Sequence, residues 1–258
     1  MTTWTFDAVD LSTFGQITEL NDYLDTAEKR GGDQTVPNIH GSIFVEKFFS
    51  EGEISFGIAI LKDNAIALEA AFDELKALLS SRTQKYLENT RADGSVRKVL
   101  ASHEGKMQVK RESYKFARVV ITFKLAEPFF RATSQTVVSE VVDASPTTLD
   151  ITNPGSVEEC NPIIELTGPL EDTVITNTTN GVVLTYTGVI PSPRIVTLQK
   201  VGHEYIATND LGTNVIANFS HQGREAFMVL DPGLNELSIT DDNATTGEVQ
   251  ISFYAPYL

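Results

Sequence analysis

The sequence predicts a mainly β protein with a single α-helix, folded as two domains. Three observations carry that prediction. Apolar and polar residues alternate over many short runs, which is the period of a half-buried strand. Only residues 64–80 repeat at the helical period instead. Turn signals such as Asp93-Gly94, Asn180-Gly181 and Asp231-Pro232-Gly233 separate the strand-like runs at the spacing of a β-sandwich.

The helix is the easiest element to justify. Leu68, Phe72, Leu75 and Leu79 fall at i, i+4, i+7 and i+11, on one face. Asp63 or Asn64 can cap the start, and no Pro or Gly interrupts the run. Glu69, Asp73, Glu74 and Lys76 form the wet side. A helix of this length needs a partner for its apolar stripe, and strand-like neighbours make a sheet the expected one.

Totals bound the function. A chain of 258 residues can bury one large core or two ordinary ones. No apolar run approaches the roughly 18 residues that a membrane-spanning helix requires. The opening MTTWTFDAVD has neither a basic n-region nor an apolar h-region, so no secretory leader is expected. The single cysteine, Cys160, excludes an intrachain disulfide and a cysteine metal cluster, and points to synthesis in a reducing cytoplasm.

The formal charge of −15 argues against a sticky surface for nucleic acid or anionic membrane. Its distribution is uneven. Residues 1–134 hold 17 Lys+Arg and 19 Asp+Glu, a net of −2, whereas residues 135–258 hold 3 and 16, a net of −13. That shift places the expected domain boundary at 134/135.

Along the first domain, Trp4-Thr5-Phe6-Asp7 opens a strand and residues 16–24 continue the pattern. Residues 28–41, EKRGGDQTVPNIHG, are polar, glycine-rich and poor in core candidates, which predicts a loop or an arm reaching off the body. Strands are expected at 43–49, 54–61, 84–87, 96–102, 106–111 and 117–126, the last ended by Pro128. Arg97, Lys98, Lys106, Lys110, Arg111, Lys115 and Arg118 crowd one stretch. Interspersed Glu104 and Glu112 favour outward strand charges that protect edges over a nucleic-acid strip. A charged subunit contact against the acidic half of a neighbour is the other reading.

In the second domain, residues 130–142 read as an extended connector, and no helix follows. Strands are expected at 147–152, 162–167, 172–177, 182–186, 195–200, 203–208, 213–217, 226–230, 236–240 and 248–254.

Catalytic signatures are missing. His40, His103, His203 and His221 lack metal-ligand spacing, and no phosphate loop or nucleophile elbow appears. Asp241-Asp242-Asn243 resembles a calcium loop, but Thr245 and Thr246 replace the Asx-Gly pair, so a plain turn is expected. No pair among the 35 acids is singled out for glycoside hydrolysis. The chain is therefore expected not to be an enzyme and to hold no cofactor or metal. A carbohydrate-binding module is the rival class, with Tyr186, Tyr205, Phe219, Phe227, Tyr254 and Tyr257 as its possible aromatic platform.

Several short motifs, in order, resemble one family. They are Trp4-Thr5-Phe6-Asp7, Asp10-Leu11-Ser12, Phe14-Gly15, Arg30-Gly31-Gly32-Asp33, Val36-Pro37 and His40-Gly41. The second half adds Asn153-Pro154-Gly155, Pro162-Ile163-Ile164-Glu165-Leu166-Thr167-Gly168 and Leu230-Asp231-Pro232-Gly233-Leu234-Asn235. Together they resemble the distal tail proteins of long, non-contractile-tailed bacteriophages.

The resemblance implies a tail-tube-like β-sandwich or split barrel with a flanking helix and an arm over residues 1–134. It implies a galectin-like or jelly-roll sandwich over residues 135–258. It also implies a hexameric ring hub at the tail tip of the virion, assembled in the host cytoplasm. The ring would join the tail tube to the baseplate and let DNA pass through its channel. A tail-tube protein is the rival within that class, and a host glycan is a possible ligand of the second domain. Arg30, Gly31, Gly32, Asp33, Pro37, His40 and Gly41 are the expected oligomer-interface residues, because an arm with few core residues can find its burial on the next subunit.

Overall fold

A computed structural model describes residues 3–20, 28–35, 40–45, 47–158, 160–202, 204–223, 227–244 and 246–258. The chain forms two compact units, Met1–Arg131 with Leu258, and Ala132–Tyr257. Each is described by itself.

The first unit is built on one open antiparallel sheet. Its strands are β1 (Thr3–Phe6), β2 (Val9–Asp10), β3 (Gln16–Glu19), β4 (Lys29–Arg30), β5 (Phe48–Phe49), β6 (Gly52–Leu61), β7 (Lys85–Thr90), β8 (Val96–Arg111) and β9 (Phe116–Leu125). The sheet runs in the order β2-β1-β7-β8-β9-β6-β3, while β4 and β5 pair separately. Alternation decides which face is buried. Ile54, Phe56, Ile58 and Ile60 of β6 sit opposite Phe123, Ile121, Val119 and Ala117 of β9, and all eight are buried. Trp4, Phe6 and Leu87 extend that face, with Trp4 edge-on to Phe56 at 5.0 Å and Phe6 tilted against Phe123 at 4.6 Å.

The helix α1 (Ala65–Leu79) links β6 to β7, which two strands separate in the sheet. Three strand spacings span about 14 Å, and 15 residues of helix give about 22 Å, so a single helix crosses β9 and β8. Asn64 caps it, its side chain accepting from the Ala67 N–H at 2.9 Å. Leu68, Ala71, Phe72, Leu75 and Leu79 are buried. Arg111, which shares the core face with its partner Ala117, meets Glu69 of the helix at 3.3 Å. Phe72→Ala should therefore cost about 3–5 kcal/mol, measured by urea denaturation with Trp4 fluorescence as the probe.

The two strands expected at 96–102 and 106–111 are one strand. The register of β8 against β9 slips between Glu104 and Gln108, where a bulge absorbs the break in alternation.

β10 (Phe130–Ala132) carries the chain into the second unit. There the strands are β11 (Thr136–Val142), β12 (Thr147–Asn153), β13 (Ile163–Thr167), β14 (Leu170–Glu171), β15 (Val174–Asn177), β16 (Val182–Tyr186), β17 (Val189–Ile190), β18 (Ile195–Val201), β19 (Glu204–Asn209), β20 (Phe219–Gln222), β21 (Gly233–Thr240), β22 (Gly247–Phe253) and β23 (Pro256–Tyr257). Strands β11 to β22 form two five-stranded sheets, β11-β22-β13-β18-β19 and β12-β21-β15-β16-β20, with a small β14–β17 ladder. Ile164, Leu166, Leu198, Val249 and Ile251 from the first sheet share one core with Leu149, Ile151, Ile175, Leu237 and Ile239 from the second. This is a β-sandwich. Among the described residues neither unit closes into a barrel, and the second holds no α-helix.

Three expectations differ from what is seen. The connector over 130–142 is largely strand, because β11 pairs with β22 over seven residues and so is an edge of the sandwich. Residues 213–217 make no strand. Asn214 forms a single bridge to Thr208, and a turn of 3-10 helix (Ile216–Asn218) follows. The run expected at 226–230 is irregular where it is described. Met228, Val229 and Leu230 are buried, and Leu230 bridges Cys160.

Candidate assembly surface

The described part of the expected arm is a thin antiparallel ribbon. Lys29 pairs with Phe49 and Arg30 with Phe48, and Gln34 exchanges two backbone hydrogen bonds with Ile43 at 3.0 and 2.8 Å. The Ser50 N–H donates to the Glu28 carbonyl at 2.7 Å and closes the base. At that base Phe49 packs edge-on against Phe129, ring centroids 5.5 Å apart, and Lys29 lies over the Phe49 ring.

Of the residues singled out in sequence, Arg30 is on β4, and Asp33 holds the two arms of the ribbon together. Its carboxylate pairs with Lys47 at 3.3 Å and accepts from the Val45 N–H at 3.4 Å. Gly31 and Gly41 adopt φ of +119° and +94°, which L side chains resist, so both mark bends in the ribbon. Gly32, His40 and Gly41 are exposed. Pro37 lies outside the described residues.

What the sequence reading missed is the apolar content of the returning arm. Ile43 is 56% exposed, Phe44 75% and Phe48 47%. The signal was there in Ile43-Phe44-Val45 and Phe48-Phe49. Adjacent apolar residues in an extended segment point to opposite faces, so no single core can take them all. A two-stranded ribbon is marginal by itself in water, and three large apolar side chains left exposed on one short ribbon point to an interaction surface.

Among the described residues no group of His, Cys, Asp and Glu has the arrangement of a metal site. Asp241 is a turn residue, and both carboxylate oxygens are engaged. One accepts from the Asn243 N–H at 2.8 Å, the other from the Glu171 N–H at 3.0 Å and the Thr173 hydroxyl at 2.7 Å. No helix is long and apolar enough to cross a membrane among the described residues. Of the aromatic residues considered for a glycan platform, Tyr186 and Phe219 are buried against each other in the core. Tyr205 packs against Phe227 at 4.8 Å and donates to the Asn161 side chain at 2.7 Å.

His221 packs at a tilt against the same Phe227, His40 is exposed on the ribbon and His203 lies outside the described residues. His103 sits beside Phe123 with its Nε2 buried and unpaired, and burial pushes its pKa below the usual histidine value. The unfolded chain thus binds the proton more readily, so this residue lowers stability as pH falls through about 6.5 and below. His103→Gln should flatten that acid slope in pH-dependent thermal melts.

Comparison with known proteins gives the class first. Residues 11–125 match the family model of the phage tail protein RIFT-related domain. That match falls within the first unit and agrees with the resemblance to phage tail proteins. Over its full length the chain has the fold of SPP1 Dit (gp 19.1), a hub adsorption apparatus protein of Gram-positive infecting phages. The TM-score is 0.72 at 14% identity, with 100% of both chains covered. Chains of the phage p2 baseplate in its activated conformation, with Sr and with Ca, align over 98% of each chain at 9% identity, with TM-scores of 0.42 and 0.41. No curated protein matches in sequence.

Proposed function

We propose that this chain is a distal tail hub protein of a long, non-contractile-tailed phage. Copies of it close into a ring, six to a turn, at the tip of the virion tail. The first units surround the channel and join the tail tube, and the second units present sandwich faces to the tip or baseplate proteins. Assembly takes place in the host cytoplasm, and the work is mechanical, without turnover or cofactor.

The observation that carries this reading is the ribbon formed by the described residues 28–35, 40–45 and 47–50. It lies within the stretch that matches the phage tail model, its base is held by Phe49 against Phe129, and it leaves Ile43, Phe44 and Phe48 open to water. A head-to-tail contact in which this ribbon lies on the next copy gives every subunit the same two surfaces, as a closed ring requires. The net charge of −15 per copy fits a passage that must not hold DNA, since it withholds the Lys/Arg contacts on which phosphate binding depends. The sandwich of the second unit weighs against a simple tube subunit, which needs only the first.

Light scattering on the purified chain, combined with negative-stain imaging, tests the proposal. A six-membered ring is the expected particle. A single-copy particle at every concentration, also in the presence of its tail neighbours, would overturn it.

A further inference from the structure

Among the described residues each unit carries one cross-strand pair of like charge on an exposed sheet face, and the two pairs have opposite sign. In the first unit Lys110 of β8 stands directly opposite Arg118 of β9. In the second, Asp150 of β12 stands directly opposite Glu236 of β21. All four are exposed. Directly opposed residues share a face at close range, and like charges there are destabilising. Elsewhere this chain follows the favourable pattern, with Glu88 opposite Lys98 and Glu53 opposite Lys124.

Local compensation is partial. Glu112 takes Arg118 at 3.3 Å, but no carboxylate lies within 4.0 Å of Lys110 among the described residues. In the second unit Arg194–Asp210 is the one ion pair among the described residues, so no described cation reaches Asp150 or Glu236. Each pair also has an exposed leucine on its face. Leu61, 70% exposed, follows Ala59, the partner of Arg118 on β6, and Leu234, 51% exposed, precedes Glu236 by two residues on β21.

We propose that these two faces meet between copies. The Lys110/Arg118 face of one chain docks on the Asp150/Glu236 face of a second chain, with Leu61 and Leu234 supplying the apolar contact. The inference rests on the reading that copies of this chain assemble, and it names a second, charge-matched contact besides the ribbon. Opposed charges of this kind fix register and orientation more than they add affinity. Because every copy offers one face of each sign, the contact is head-to-tail, the type that closes into rings. The retained repulsion inside each pair is relieved only when the other face covers it.

Two double variants test this. One is Lys110→Glu with Arg118→Glu, which makes both faces acidic. The other is Asp150→Lys with Glu236→Lys, which makes both basic. Each keeps a like-charge pair, and the Arg118–Glu112 contact that the first one loses is solvent-exposed and weak, so both are expected to fold. By light scattering at low salt, each alone should associate about tenfold more weakly or worse. An equimolar mixture should recover association, since every copy then meets the opposite sign. The single change Glu236→Lys should raise the thermal midpoint of the free chain while weakening association, a combination that a purely structural role would not produce. Association unchanged in the variants, or a mixture no better than either variant alone, overturns the contact and leaves the ring standing. A wild-type chain that never associates removes both.

Discussion

Asn235→Ala is expected to destabilise the second unit by about 3–5 kcal/mol. Asn235 is fully buried and makes four hydrogen bonds. Its amide donates to the carbonyls of Asp231 at 2.8 Å and Gly233 at 3.2 Å. Its oxygen accepts from the Asp231 N–H at 2.9 Å and from the Asn177 amide at 3.0 Å. Asn177 and Asn180 also donate to the Val229 carbonyl, at 3.1 and 3.0 Å, and Asn153 donates to the Leu230 carbonyl at 3.1 Å. Four asparagines thus hold an irregular segment that has no ladder of its own, and that segment places Met228 and Leu230 in the core. Alanine leaves buried donors and acceptors without partners, each costing about 1–3 kcal/mol. Scanning calorimetry should show the transition of the second unit falling by about 10–20 °C. Fluorescence of Trp4, the one tryptophan and part of the first unit, should change little. A single transition with both signals lowered together would show that the network does not act within its own unit.

Replacing Ile43, Phe44 and Phe48 together by Ser is expected to abolish association at micromolar concentration while leaving the thermal midpoint unchanged. These side chains contribute little to the isolated chain because they already face water. If a neighbour covers them, the apolar area removed from water is worth about 3–5 kcal/mol together. Its loss weakens assembly by about two to three and a half orders of magnitude, at about 1.4 kcal/mol per factor of ten. Sedimentation velocity against concentration measures this directly. Deletion of residues 28–41 should act in the same direction. Unaltered oligomers in either variant would remove the ribbon from the interface.

The legible parts of this fold were those where a local period matched a whole element. The spacing of Leu68, Phe72, Leu75 and Leu79 announced α1 to within a residue, because one helix face meets one surface. The alternation in β6 and β9 did the same, since each buries one face. Short range fails where a partner elsewhere decides. β11 looked like a connector because it is half-exposed, and only its pairing with β22 makes it a strand. The segment 228–230 looked like a strand because it is apolar, yet asparagines up to 77 residues away hold it instead of a ladder. Two of the motif glycines belong to the same class. A Cβ on Gly15 would lie 2.2 Å from the Ala59 carbonyl oxygen, and one on Gly168 would lie 2.2 Å from that of Ile190. Their necessity is a close approach that no local pattern announces.

At the candidate interface, polarity and glycine content marked the arm but not its contact residues. Asp33 proved to be internal cement for the ribbon, held by Lys47 and Val45. The exposed apolar side chains came from the run assigned to an ordinary strand.

By itself, the amino-acid sequence determined the β class, the single helix, the division of charge and the likeness to phage tail proteins. Each of these is local or additive along the chain. Tertiary structure alone decided which apolar residues stay in water and which like charges stand face to face. Both depend on strand register, and register is set by pairing between residues far apart in the chain.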